Sequence, residues 1–368
     1  MPMKTKISAE IVAHSINKQG DELISLLVTF PRIILAEVNT HRMLSKNTSS
    51  SRAIPFAKMV ESVKNDPFIP IAWQKEHKGM QGSEYWTTDI DKLELEWLQA
   101  RNKAVFQATT LHDSGVTKQL CNRLLEPFMW TTMLITGPKS GWDNFFRLRC
   151  PEYRDKSIKG GGSLYIHRSK KEFLKYDYGQ HAKDFTDLEW LKINEGQAEI
   201  HIMDLAEKIY DACNESTPKL LKPGEWHVPF KDKFDTIAIS NKSTRTFHTD
   251  LSTTDTQFNI IKISVAMAAR TSYTVVGNEK EIDIEAMIGL HDRLLTQDPP
   301  HSSPLEHCAR CMSDEEYERF VKGYVSRIGT IAGTMIAVKK SNEGWCNNFR
   351  GFIPYRYLVD NGNQKAKN

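Results

Sequence analysis

The 368-residue sequence predicts an α+β protein rich in helix. Three observations carry that prediction. Leu23 to Phe30 is a short apolar run of strand length. Glu195 to Cys213, Gln257 to Arg270 and Ile282 to Leu295 each place apolar residues at helical spacing. Strand-like and helical stretches alternate without any internal repeat or long low-complexity tract.

Composition narrows the class. Hydrophobic residues make up 40% and charged residues 26%, which is enough apolar surface for a core and excludes wholesale disorder. Lys plus Arg is 49 against 46 Asp plus Glu, a net charge of +3, too balanced for a nucleic-acid coat or a polybasic membrane surface. The longest apolar-leaning run, Ile328 to Val338, falls well short of the ~20 residues of a bilayer helix. The first residues, MPMKTKISAEIVAHS, are basic but carry no apolar stretch, so they do not read as a secretory signal. The expectation is a cytoplasmic chain whose six cysteines, 121, 150, 213, 308, 311 and 346, are reduced. Length alone allows two or three domains or one large one.

The elements follow in order. Pro31 after the first strand can open a helix through Ile34 and Glu37. Ser45 to Arg52 is Ser-rich and reads as a loop. Thr88 to Ser114 reads as a helix, with Thr88 and Asp91 as its cap signal and Gly115 as its stop. Val116 to Trp130 looks helical but is broken at Pro127, and Asn144 to Arg149 is a short mixed segment before Pro151. Glu152 to Asn194 has no steady period and contains three consecutive glycines from Gly160. It reads as an inserted excursion with a hairpin around Leu164 to His167. Ser313 and Glu316 form a capping box that opens a helix to about Tyr324. Gly329 and Gly333, four apart, read as close helix packing.

Four constellations could carry chemistry. Thr40 to Arg52 (THRMLSKNTSSSR) joins His41 and Arg42 to Asn47, Thr48, Ser49, Ser50, Ser51 and Arg52, the donor types that a phosphate needs; a solvated polar loop is the alternative. His301 to His307 (HSSPLEH), with Cys308 and Cys311 after it, could relay protons or hold zinc, although no second CxxC or HxxxH closes a ligand set. Two cysteines on one helix face are the alternative. Arg123 and Arg149 stand among apolar neighbours and need anionic partners, Glu126 or Glu152 if the role is structural. Gly344 to Arg356 (GWCNNFRGFIPYR) suits a stacking pocket, an oligomer contact or plain core. The basic cluster His167, Arg168, Lys170 and Lys171 could touch nucleic acid or be a solvated loop.

Together these segments resemble the flavin-dependent thymidylate synthases of the ThyX type. The family hallmark is Arg-His-Arg, seven residues, then Ser and an Arg. Thr40-His41-Arg42, seven residues, Ser50 and Arg52 reproduce it, with Thr40 in place of the first Arg. Arg123, Pro127, Asn144, Leu148 and Arg149 match a second element, followed by Gln197, Ala198, Glu199 and Ile200. His301, Ser303, Pro304, Glu306 and His307 match a third, and Ala268, Ala269, Arg270 and Ser272 resemble an Ala-Ala-Arg-x-Ser element. In the usual family these last two precede the Arg-His-Arg motif, so the chain resembles a circularly permuted relative of phage and bacterial genomes. The resemblance implies a ThyX-like helix-rich α+β fold around a mixed or antiparallel sheet. It implies one permuted catalytic domain over residues 1–368, with insertions at about 67–115 and 152–194.

The resemblance also implies roles. Ser50, Ser51 and Arg52, assisted by Arg123, would hold the phosphate of dUMP. Leu148, through its backbone, and Arg149 would read the pyrimidine edge, and Arg149 and Ser50 would serve catalysis. His41, Arg42, Asn144, His301, Ser303 and Glu306 would line an FAD site, with no resident metal. Methylenetetrahydrofolate and NADPH would be co-substrates, converting dUMP to dTMP in the cytoplasm of a bacterium or of a phage's bacterial host. A homotetramer is expected, and nucleic-acid or membrane partners are not. Thr40, Thr48, Ala53 and Glu195 depart from the family pattern. They motivate a related expectation, another one-carbon outcome such as hydroxymethylation of a pyrimidine nucleotide for phage DNA. A non-catalytic, zinc-stabilised binding protein is the reading from another class.

Overall fold

The structure is a computed structural model, and it describes residues 6–78, 82–154, 165–233, 253–273, 283–297, 302–322, 327–331, 334–338 and 348–365. Its centre is a five-stranded mixed sheet in the order β3-β4-β2-β1-β7. These strands are β1 (Ser8–Ile16), β2 (Glu22–Pro31), β3 (Ser45–Thr48), β4 (Trp130–Pro138) and β7 (Lys219–Leu220). All pairs are antiparallel except β1 with β7. The α+β class holds.

The apolar run of β2 is explained by its place. β2 is central, paired on both sides, with Leu27 opposite Leu134 and Thr29 opposite Thr132 of β4. Both of its faces are buried, so the strand is nearly continuous in apolar residues rather than alternating. Leu26, Val28 and Phe30 pack with α5 (Lys139–Arg149) and α8 (Ile200–Glu215) on one side. On the other side Leu27 and Leu134 meet the helices Thr253–Arg270 and Ile284–Thr296. β1 was not legible as a strand, because most of it is only half-buried and a bulge at Val12 breaks its register. The bulge turns Val12 O toward Phe230 N, which donates to it at 3.0 Å.

Several expectations need correction. Pro31 closes β2 instead of opening a helix; a 3-10 turn Arg32–Ile34 leads into α1 (Leu35–Asn39). Ser45 to Thr48 is strand β3, held by four pairs to β4, because tertiary pairing overrides the polar composition. The helix after the insertion starts at Ile200, not Glu195. Glu199 is its cap, accepting from His201 N at 2.8 Å and Ile202 N at 3.1 Å. The long helix α3 (Ile90–Asp113) begins after Asp89, whose φ is +57°, so neither Thr88 nor Asp91 caps it. Residues 116–130 split into α4 (Lys118–Cys121) and a 3-10 stretch Asn122–Phe128 that contains Pro127. Arg327–Ile331 and Thr334–Val338 form two antiparallel strands rather than a helix. Their β-branched content (Ile328, Thr330, Ile331, Thr334, Ile336, Val338) favours that outcome, and Gly333 lies outside the described residues.

Residues 152–194 are ordered where described. β5 (Tyr153–Arg154) pairs with β6 (Ile166–His167), and the glycine run between them lies outside the described residues. Tyr153, Phe173, Ala182 and Trp190 make a small aromatic core, and Thr186 with Glu189 forms a capping box for α7 (Asp187–Ile193). The basic cluster here is engaged. His167 meets Tyr178 Oη at 2.6 Å, Arg168 donates to Phe146 O at 3.2 Å, and Lys171 pairs with Glu215. The capping box at Ser313 and Glu316 forms as expected. Among the described residues no helix is long and apolar enough to cross a membrane.

Candidate functional site

The site is built from the turn at residues 40–44, strand β3, the end of α5, and two C-terminal segments. Pro151 fixes the end of α5, because a residue before proline is driven out of the helical region. Cys150 is accordingly extended, with ψ of 153°. Arg149 is therefore the last helical residue, where a cation suits the helix dipole and the final carbonyls lack intrahelical donors.

Arg149 reaches back to the turn. Its Nε donates to His41 Nε2 at 3.0 Å, and its Nη2 donates to Thr40 Oγ1 at 3.4 Å. The expected carboxylate partners, Glu126 and Glu152, are not the ones it uses. His41 is buried, with its ring edge-on to Phe145 at 4.8 Å. Burial, with Arg149 and Lys46 beside it, lowers its pKa to about 4. It is therefore neutral at pH 7 and can accept from Arg149. Lys46 donates to His41 O and, at 3.1 Å, to Leu44 O. Burial lowers the Lys46 pKa to about 8 against the opposing pull of Glu306. Glu306 is itself paired with Arg356, and Asn348 donates to Arg42 O at 3.0 Å.

Asn47 gathers the remaining elements. Its Nδ2 donates to Ala268 O and, at 3.1 Å, to Thr271 Oγ1, while its Oδ1 accepts from Ser303 at 3.1 Å. Ser50 N donates to Ser272 O at 3.0 Å. His307 fastens the same segment to the sheet through a buried chain. Its Nδ1 meets Thr136 at 2.8 Å, Thr136 meets Ser25 at 2.6 Å, and Ser25 meets His227 at 2.8 Å. Burial lowers His227 and His307 to about 3, so both are neutral.

A second half of the site lies beyond β3. Ser51 donates to Glu126 Oε1 at 2.7 Å, and Arg123 lies 3.7 Å from the same oxygen. The sequence expectation that Glu126 partners Arg123 holds. Arg52 is exposed. Ser50 lies two residues beyond the end of β3 and four beyond Lys46. Within one chain, no hydrogen bond or ion pair among the described residues joins Arg149 to Ser50, Ser51 or Arg52.

The other expected residues are placed as follows. Asn144 is half-buried and accepts from Arg147 Nη2 at 2.8 Å. Arg42 and Leu148 are exposed. His301 lies outside the described residues. Thr48 meets Thr131 at 3.3 Å, and Glu195 pairs with Arg154 at 3.0 Å. Lys46, Arg32 and Arg356 were not singled out by sequence, and Asn47 was named there only as one of the polar donors of the Thr40 to Arg52 segment. A cation between Pro31 and the apolar pair Ile33 and Ile34 was the available signal for Arg32, and the polar–aromatic segment ending at Arg356 was the signal for that residue.

Cys308 and Cys311 do not share a helix face. Strand β9 (Ala309–Cys311) holds the second, and their odd spacing sends them to different neighbours. Cys308 donates to Ser264 at 3.2 Å and Cys311 to Leu221 O at 3.7 Å. Burial raises the two thiols to about 12 and about 11, so both are protonated and hydrogen-bonded. No cluster of three or more metal-ligating side chains occurs among the described residues.

No protein-family model matches the chain, and no curated protein matches it. Solved structures do. The chain is similar to the UMP/dUMP methylase PolB from Streptomyces cacaoi bound with 5-Br UMP, at 14% identity and a TM-score of 0.36, over 58% of this chain and 92% of that one. The same methylase bound with 5-Br dUMP overlaps at 14% identity and a TM-score of 0.32, over 58% of this chain and 97% of that one.

Proposed function

We propose that the protein transfers a one-carbon unit to C5 of a deoxyuridine nucleotide, converting dUMP to dTMP with FAD, methylenetetrahydrofolate and NADPH. One observation supports the reading above others. The segments that carry the resemblance come from four distant parts of the chain and meet on residues 40–50. Arg149 bonds His41 across 108 positions, Asn47 bonds Ala268 across 221, and Ser303 bonds Asn47 across 256.

The chain's own groups suit the chemistry. Neutral His41 holds the Nε side of Arg149 and so orients the guanidinium, leaving its remaining N–H groups for a ligand carbonyl. Negative charge that develops on a pyrimidine oxygen is stabilised by such a preorganised cation. The free carbonyl of Leu148, at the helix end, can accept from a ring N–H. Ser50, Ser51, Arg52 and Arg123 supply hydroxyl and guanidinium donors for the phosphate. The donor set also fits FAD. Arg42 is an exposed cation for its diphosphate, His41, Asn144 and Ser303 offer neutral donors and acceptors for the rest, and Glu306, paired with Arg356, offers a carboxylate acceptor. When bound, the flavin would supply hydride transfer. The homotetramer and the cytoplasmic setting belong to the same proposal.

Thr40 favours a second outcome, a hydroxymethyl product. The residue carries a hydroxyl, engaged with Glu37 O at 2.6 Å, where the family has a cation. The visible absorbance of the purified protein tests the proposal. Flavin bands, native or after added FAD, are expected; a colourless protein that takes up no FAD contradicts it.

A further inference from the structure

The phosphate half of the site contains a charge that the proposed reaction does not use. Glu126 Oε1 accepts from Ser51 at 2.7 Å and lies 3.3 Å from Arg32 Nη2 and 3.7 Å from Arg123 Nη1. Arg32 is held in place from behind, since its Nη1 donates to Ser49 O at 2.8 Å. Its Nε is buried with no acceptor among the described residues, so the guanidinium has a spare donor. Burial lowers the Arg32 pKa, and Arg123 lowers it further, against the pull of Glu126. Arg123 and Arg52 are exposed, and Glu126 is only partly covered. Arg32 and Arg123 therefore face a single carboxylate.

We propose that Glu126 is a specificity determinant, an internal anion seated where the phosphoryl group of the ligand goes. The inference rests on the nucleotide reading of this site. A carboxylate carries one charge and two oxygens. A phosphate ester dianion carries two charges and three free oxygens, so it gains more from the same guanidiniums and the Ser51 hydroxyl than Glu126 does. A singly charged ligand exchanges like for like and gains little, and a neutral nucleoside gains nothing. Glu126 thus admits phosphate dianions and keeps weaker anions out, swinging toward solvent when displaced.

Glu126→Gln tests this, because it keeps the size of the side chain and an acceptor for Ser51 while removing the charge. Titration calorimetry with inorganic phosphate at pH 8 should show binding to the variant about tenfold tighter than to the unaltered protein, as loss of a competing charge-assisted contact implies. Acetate should bind the variant and not the unaltered protein. Equal or weaker phosphate binding by the variant overturns the proposal. Arg123→Met should weaken phosphate binding with either residue at 126; unchanged binding would place the anion elsewhere and overturn it too. dUMP separates the two levels. If phosphate follows this order while dUMP binds neither form, the nucleotide reading fails and the role of Glu126 stands. If dUMP is turned over but phosphate does not bind the variant more tightly, only the role of Glu126 fails.

Discussion

Arg149 donates through Nε to Nε2 of His41 across 3.0 Å, so the last residue of one helix fixes the imidazole of a turn more than a hundred residues earlier. The contact requires a neutral His41, and the site supplies it through burial and two neighbouring cations. Each partner therefore sets the state of the other.

Arg149→Ala removes both the hydrogen bond and a repelling charge. The pKa of His41 should rise from about 4 toward the ordinary histidine range, because Arg149 is one of the groups that depress it. NMR titration of the His41 ring reads this directly. Turnover of dUMP should fall by about 100-fold or more, as loss of a preorganised charge stabiliser does, while bound flavin stays. Unaltered turnover would remove Arg149 from its assigned role.

Stability should fall in mild acid. His227 and His307 are buried and held at about 3, below their unfolded value near 6.5. Between those values the unfolded chain binds more protons than the folded one, so the stabilisation is complete above pH 6.5 and is lost as pH falls toward 3. Each histidine contributes a slope of about 1.4 kcal/mol per pH unit in that window. Urea unfolding at pH 7, 6 and 5 should show the loss. His227→Asn should flatten the slope by about one histidine's share, and an unchanged slope would contradict the assignment.

Asn47→Ala should destabilise the protein by about 2–4 kcal/mol, since it removes three side-chain hydrogen bonds at once, to Ala268 O, Thr271 and Ser303. Thermal unfolding measures the cost. A loss under about 0.5 kcal/mol, the range of ordinary surface changes, would mean that Asn47 does not fasten β3 to the C-terminal segments.

Phe145→Ala should cost about 3–5 kcal/mol, the usual penalty for an emptied aromatic site. Phe145 is fully buried between Trp142 and His41. Flavin affinity should fall as well, because the ring that holds His41 edge-on is gone. A destabilised variant with unchanged flavin affinity would separate Phe145 from the site.

The sequence showed what is local. The β2 run, the helices at 257–270 and 282–295 and the Ser313 capping box are short-range patterns, and each is present. β3 was hidden because Ser45, Lys46, Asn47 and Thr48 have no apolar period; its strand character comes from β4 alongside. The helical stretch ending at Arg149 looked like a mixed segment because the helix begins at Lys139, before the motif. In the site, the motifs marked His41, Ser50, Arg123 and Arg149. They could not show that Asn47 joins three of the segments or that Glu126 sits among the arginines. Those facts depend on partners that the chain brings together only when folded.

The most direct test of the central claim is mass spectrometry of the product after purified protein is incubated with dUMP, methylenetetrahydrofolate, FAD and NADPH. The proposed chemistry predicts dTMP, formed only when all four are present. Unchanged dUMP from a protein that binds both FAD and dUMP would contradict it.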